Sequence, residues 1–256
     1  MTFLIQSISL EEITMKKRLR RSTVLVFSVL IVSVLICLAQ TEELRPVTVE
    51  KQMPDFSLPV FQGGELSLSK FKGKNILLIF PRGRSREDAW CHICNYQYAE
   101  WAELEAKLQI REKYNVEILF ILPYGKELVT EWIDRFYDQL QDLEKGKNPP
   151  DQDKLDDQGK RRMEFYRRVF PKSFPYKEGE VPLPFPILMD DGAVISKGLG
   201  LFTTEWGGSK ANQNIPTVYI VDKNGFLQFK YFSQNTFDRP GPDYLLRVLD
   251  VMNSSR

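Results

Sequence analysis

The chain has 256 residues, 43% of them hydrophobic, with 35 basic and 34 acidic side chains and a net charge of +1. That size and apolar content suffice for one large domain or two small ones around a buried core. The balanced charge, with no basic block beyond the N-terminal region, excludes the electrostatic footprint of a nucleic-acid binder.

In chain order, the basic segment Met15 to Arg21 (MKKRLRR) precedes an uncharged apolar run from Thr23 to Ala39. A basic stretch followed by an apolar one is the pattern of an export signal, with small residues near Ala39 suited to cleavage. The run is slightly short of the roughly 18 residues expected of a spanning helix, so a cleaved signal peptide and a retained membrane anchor both stay open over 1–39. Met15 is a natural start for such a signal. Cys37 follows Ile36, which does not suit a lipid-attachment cysteine. Export would remove Cys37 and leave 30 basic against 32 acidic residues, with Cys91 and Cys94 as the remaining cysteines in a compartment where disulfides form.

A polar linker over 40–52 leads into a domain expected over 53–253. Short strands are expected around Gly63-Gly64, and a buried strand over Asn75 to Phe80. PRGRSREDA reads as a polar loop. A helix begins at Cys91, a second buried strand runs over Val116 to Tyr124, and Lys126 to Lys145 reads as one amphipathic helix. The breaker-rich stretch that follows is taken as a solvated insertion, about 142–182, with a short helix near Arg161 to Val169. A strand in PLPFPILMDD, a short helix in AVISKGLGL, a hairpin turning at Lys223-Asn224-Gly225 and a closing helix complete the order. No internal repeat is present. Strands alternating with helices give an α/β domain with a mixed central β-sheet flanked by helices.

The chemistry concentrates in WCHIC, Trp90 to Cys94, which holds two of three cysteines and the one histidine. A cysteine at a helix start meets unpaired N–H groups and the positive end of the helix dipole, which favour the thiolate. In such C-x-x-C pairs the thiol pKa falls from ~8.5 to roughly 3.5–7.5. Cys91 would attack, and Cys94, one turn on and more buried, would resolve the mixed disulfide. His92, when protonated, would favour the thiolate further, and Trp90 would cover one side of the site. A zinc site wants four ligands, a Cys-His nucleophile wants an imidazole from elsewhere in the fold, and two inert buried thiols fit the strand–loop–helix context less well. Ile215-Pro216-Thr217, just before the strand VYIVD, is expected to carry a cis peptide bond beside the cysteines, the ordinary alternative being a trans proline at a strand start.

With MPDFSLP, GKNILLIFPRG, WCHIC, FPILMDDGAVISKGLGL and IPTVYIVDKNGFLQF in view, the chain resembles the alkyl hydroperoxide reductase/thiol-specific antioxidant (AhpC-TSA) redoxins. More closely, it resembles the peroxiredoxin-like C-x-x-C branch of the thioredoxin superfamily, over most of residues 50–250. The resemblance implies a thioredoxin-like fold with a helical/loop insertion. It departs from the peroxiredoxin pattern Pro-x-x-x-Thr/Ser-x-x-Cys. Counting back from Cys91 reaches Asp88 and Arg84, and counting back from Cys94 reaches Cys91 and Glu87. The family's distant arginine has no counterpart beside Ile215-Pro216-Thr217. Arg82, in the Arg82-Gly83 pair that ends the strand, is a candidate to stabilise a thiolate or bound oxyanion, or else a solvated loop residue.

The expected activity is an exported thiol-disulfide oxidoreductase exchanging disulfides with protein partners. The alternative is a thiol peroxidase in which Cys91 is oxidised by a hydroperoxide and Cys94 condenses with it. A non-enzymatic binding module using the insertion as its contact surface is the third class, against which the cysteine pair argues. No organic cofactor or metal is implied. The membrane is expected to be met only through the N-terminal segment.

Overall fold

The computed structural model describes residues 46–254, so the signal or anchor expected over 1–39, with Cys37, lies outside the described residues. Two apolar runs set the architecture. NILLIF forms β3 after a small hairpin of β1 (Ser57–Pro59) and β2 (Glu65–Ser67), and VEILFIL forms β6 (Val116–Leu122); every residue of β3 (Asn75–Phe80) and β6 is buried. Runs apolar on both faces suit parallel strands covered on both sides, and β3 and β6 pair in parallel at the centre of a five-stranded sheet.

Between them lie β4 (Arg84–Arg86), β5 (Ala89–Trp90), helix α1 (His92–Leu108) and the short α2 (Ile110–Lys113). After β6 come α3 (Lys126–Asp134), α4 (Phe136–Lys147) and α5 (Asp157–Val169), then β7 (Ile187–Met189) and the short α6 (Val194–Gly198). The chain ends with β8 (Phe202–Trp206), β9 (Ser209–Asn214), β10 (Thr217–Val221), β11 (Leu227–Phe232) and α7 (Pro242–Ser254). The sheet order is β11-β10-β3-β6-β7, with β10 antiparallel to both its neighbours. This is the mixed α/β sheet that the sequence leads one to expect.

Period-two alternation divides the core. Leu77, Ile79, Ile118, Phe120, Val218 and Ile220 face a layer containing Tyr98, Trp101, Trp132 and Leu249. Ile76, Leu78, Leu119, Ile121, Tyr219 and Val221 face the other layer, with Phe56, Ile195 and Leu201. Among the described residues no helix is long and apolar enough to cross a membrane.

Three local expectations are corrected. The single helix expected over Lys126 to Lys145 is two, because Arg135, whose N–H donates to both Glu131 O and Ile133 O, closes one run before the next begins. The apolar spacing Val129, Trp132, Phe136, Leu140, Leu143 runs straight through the break, which hides it from periodicity. The polar loop after β3 contains the β4–β5 pair. The β8–β9 hairpin was not anticipated, although its turn residues Gly207 (φ 59°) and Gly208 (φ 77°) occupy the left-handed region that a tight hairpin needs.

Candidate active site

Cys91 is the residue that opens α1. Its backbone is extended (φ −83°, ψ 100°), its N–H donates to Gly83 O at 2.9 Å, and Cys94 N–H donates back to Cys91 O at 2.9 Å. The sulfur therefore sits where the free N–H groups of the first helical turn add positive potential. Both cysteines are free thiols and both are buried, Cys91 to 3% and Cys94 to 1% relative exposure.

Their titrations are driven apart. A hydrogen bond from the Cys94 thiol holds the Cys91 thiol well below its ordinary range against the opposing effect of burial, helped by the charges of Arg239 and His92. Burial pushes Cys94 well above that range, and the hydrogen bond it gives Cys91 and the charge there push it further. One group is set up as the thiolate and the other as the proton-bearing thiol.

The cation over this pair is Arg239, whose role the sequence did not suggest. Its Nη1 donates to Cys94 Sγ at 3.3 Å and its Nη2 to Cys91 Sγ at 3.8 Å. Asp238 holds the loop that carries it, accepting from the Tyr231 hydroxyl and, at 2.9 Å, from Gln234 N. The signal lay one strand further on than the search beside Ile215-Pro216-Thr217. Thr217, which opens β10, pairs with Phe232, which ends β11, so the residues just after β11 return to Pro216. Ser233 N donates to Pro216 O, and Pro216 shares the wall of a small cavity with Ser233 and Arg239.

Arg82 does not point at the sulfurs. It is buried beneath the β8–β9 hairpin, donating from Nε to Gln213 Oε1 (2.6 Å) and from Nη2 to Trp206 O (3.0 Å) and Ser209 Oγ. The backbone alternation after β3 sends it to that side, where a buried guanidinium needs several acceptors. The Ile215–Pro216 bond is trans, since the described residues contain no cis peptide bond. Asn214 N donates to Arg82 O and Ile215 N to Leu201 O, carrying the chain extended from β9 into β10, where the lower-energy trans form fits.

Trp90 is buried just before Cys91. Its ring meets Tyr124 edge-on at 5.5 Å, its Nε1 donates to Glu131 Oε1 at 2.9 Å, and Arg84, itself paired with Glu131, lies 5.1 Å from its ring centroid. His92, the first residue of α1, sets its ring 6.5 Å from Phe170, which belongs to the segment between α5 and β7. A separate cavity of about 860 Å³, lined by Tyr124, Asp191, Lys197 and Lys210 among others, includes neither cysteine.

The fold has clear relatives among solved structures. It matches a reduced 2-Cys peroxiredoxin of Plasmodium vivax at 18% identity, covering 82% of this chain and 83% of that one with a TM-score of 0.52. It matches AhpC of Mycobacterium tuberculosis at 16% identity over 82% and 96% of the two chains (TM-score 0.51). It also matches a peroxiredoxin 6 of Arenicola marina at 13% identity over 82% and 74% (TM-score 0.53). At these identities the likeness is one of fold. No curated protein sequence matches the chain. The sequence profile of the AhpC/TSA family covers residues 49–230, and the chain belongs to the AhpC/TSA family of thiol-dependent oxidoreductases.

Proposed function

We propose that the protein is a thiol peroxidase using Cys91 as the attacking thiolate and Cys94 as the resolving thiol. The observation that carries this is the Arg239 guanidinium facing two sulfurs that are almost wholly buried. A small hydroperoxide fits that setting, and the guanidinium is a ready stabiliser for the charge that develops on the departing oxygen.

The Cys91 thiolate attacks the terminal peroxide oxygen. The O–O bond breaks, the alkoxide takes a proton and leaves as the alcohol, and Cys91 becomes a sulfenic acid. Cys94 then attacks the Cys91 sulfur, the S–S bond forms and water departs. Two electrons and two protons from the dithiol account for both products. Trp90, pinned by Glu131 and Tyr124, and Gly83, bonded to Cys91 N–H, position the nucleophile.

Mixing the reduced protein with equimolar hydrogen peroxide and following Trp fluorescence by stopped flow tests the proposal. Oxidation about 10²-fold or more faster than a free thiol is expected. A rate equal to that of free cysteine would falsify it. Disulfide exchange remains the second activity to measure, because the C-x-x-C spacing at a helix start suits it too; rapid reduction of a model protein disulfide with slow peroxide reaction would select it.

Export rests on the basic segment from Met15 and the apolar run to Ala39. Residues 1–45 fused to a phosphatase that folds only outside the cytoplasm should give active enzyme, and an inactive fusion would remove this part of the proposal.

A further inference from the structure

We infer that the exposed basic and aromatic face of α5 is the docking surface for an acidic, thiol-bearing polypeptide that reduces the Cys91–Cys94 disulfide. This rests on the proposed peroxidase cycle, which needs a two-electron reductant.

Helix α5 reads DQGKRRMEFYRRV, five basic residues against two acidic ones in a chain whose charges otherwise nearly cancel. Arg167 is used internally, donating to Lys147 O, Asn148 and Gln152. Lys160, Arg161, Arg162 and Arg168 are exposed and form no ion pair among the described residues. Lys107, Lys145 and Lys154 each meet a carboxylate three or four positions away, whereas on α5 four such cations without an ion pair stand within nine residues. Instead of carboxylates, α5 gives its arginines rings. Arg162 lies 5.9 Å from the Tyr166 centroid and Arg168 5.7 Å from that of Phe165, so the charge is presented on an aromatic platform.

That platform touches the surroundings of the cysteines at two points. Phe165 meets Phe237 edge-on at 4.9 Å, and Phe237, 45% exposed, precedes Arg239 by two residues. Tyr166 packs at 5.6 Å on Phe170, whose ring meets His92. A cluster of unpaired like charges costs repulsion, and a partner of opposite sign turns that cost into attraction and faster encounter. The half-exposed phenylalanine at the rim supplies the apolar centre that such a contact needs. An acidic polypeptide seated there would present its thiol on the Phe237 and His92 side of the pair. Its thiolate attacks one sulfur of the disulfide, giving a mixed disulfide and releasing the other as a thiolate. A second thiolate of the partner then closes the partner's own disulfide and returns the reduced pair.

The test uses the full chain, oxidised by diamide so that it does not depend on peroxide activity, and two synthetic Cys-x-x-Cys peptides, one flanked by glutamates and one by lysines. At low salt the acidic peptide should reduce the protein about 10-fold faster than the basic one, and high salt should erase the difference. R161E/R162E/R168E should invert the preference while leaving the rates with dithiothreitol and hydrogen peroxide unchanged; R161Q/R162Q, a milder change, should narrow it. Equal rates with the two peptides, or a preference that survives charge reversal, overturns the inference. So does α5-dependent binding to anionic vesicles with no peptide preference. Failure of the peroxidase reading would show separately, as slow oxidation by peroxide.

Discussion

Arg239 supplies a positive charge to two sulfurs that burial by itself would keep protonated. Arg239→Met should therefore raise the Cys91 pKa and slow the peroxide reaction by about 10²–10³-fold, with Arg239→Lys recovering part of the loss. The pH profile carries the sign. With its pKa lowered, Cys91 remains a thiolate below the usual thiol value near ~8.5, and reactivity falls only when pH drops through the lowered value. In the methionine variant that fall should move to higher pH, measured by iodoacetamide alkylation across pH. The grouping of Cys91, His92 and Cys94 was legible because the three lie within a few residues of one helix start. Arg239 was not, since 145 positions separate it from Cys94 and only the register of a hairpin brings it back.

At the scale of elements, two contacts decide how the site's surroundings hold. Arg82 joins the end of β3 to β9 through Gln213 and to the β8–β9 turn through Trp206 and Ser209. Arg82→Met leaves Gln213 with a buried, unpaired acceptor and should cost about 2–3 kcal/mol in urea unfolding. Unchanged stability would show that the hairpin is held by its backbone ladder. On α1, burial raises the Glu100 carboxyl to about 6, partly offset by Lys172. A carboxyl raised on folding lowers stability as pH climbs from its unfolded value to its folded one, here between about 4.5 and 6. Glu100→Gln should consequently stabilise the protein at neutral pH by about 1 kcal/mol and flatten the pH dependence across that window, while Lys172 keeps Glu103. The buried strands and main helices were legible as apolar runs and periodic faces. The β8–β9 hairpin was harder to see because Thr203, Thr204, Glu205, Lys210, Asn212 and Gln213 give it little apolar alternation.

For the whole molecule, the described residues, 46–254, form one compact unit that contains both core layers and the cysteine pair. A chain beginning at Leu44 should unfold in one transition by circular dichroism and react with peroxide at the rate of the full chain. Loss of either property would assign the preceding residues a part in folding. The sheet was readable from strand order because buried parallel strands leave long apolar signatures. The placement of α5 beside the site was not, because its aromatic contacts with Phe237 and Phe170 follow no local period.

Gly83 settles a question of mechanical reference. Its carbonyl holds Cys91 N–H, and its Cα is pressed so closely on Tyr124 that an added methyl would come within 2.5 Å of the ring. Tyr124 is moored in turn, its hydroxyl accepting from Arg84 N and donating to Asn212 O. The position of Cys91 is thus tied to the segment between β3 and β4 as well as to the helix it begins. A side chain at position 83 would push Tyr124 off its two hydrogen bonds, and with it the carbonyl that holds Cys91 in place.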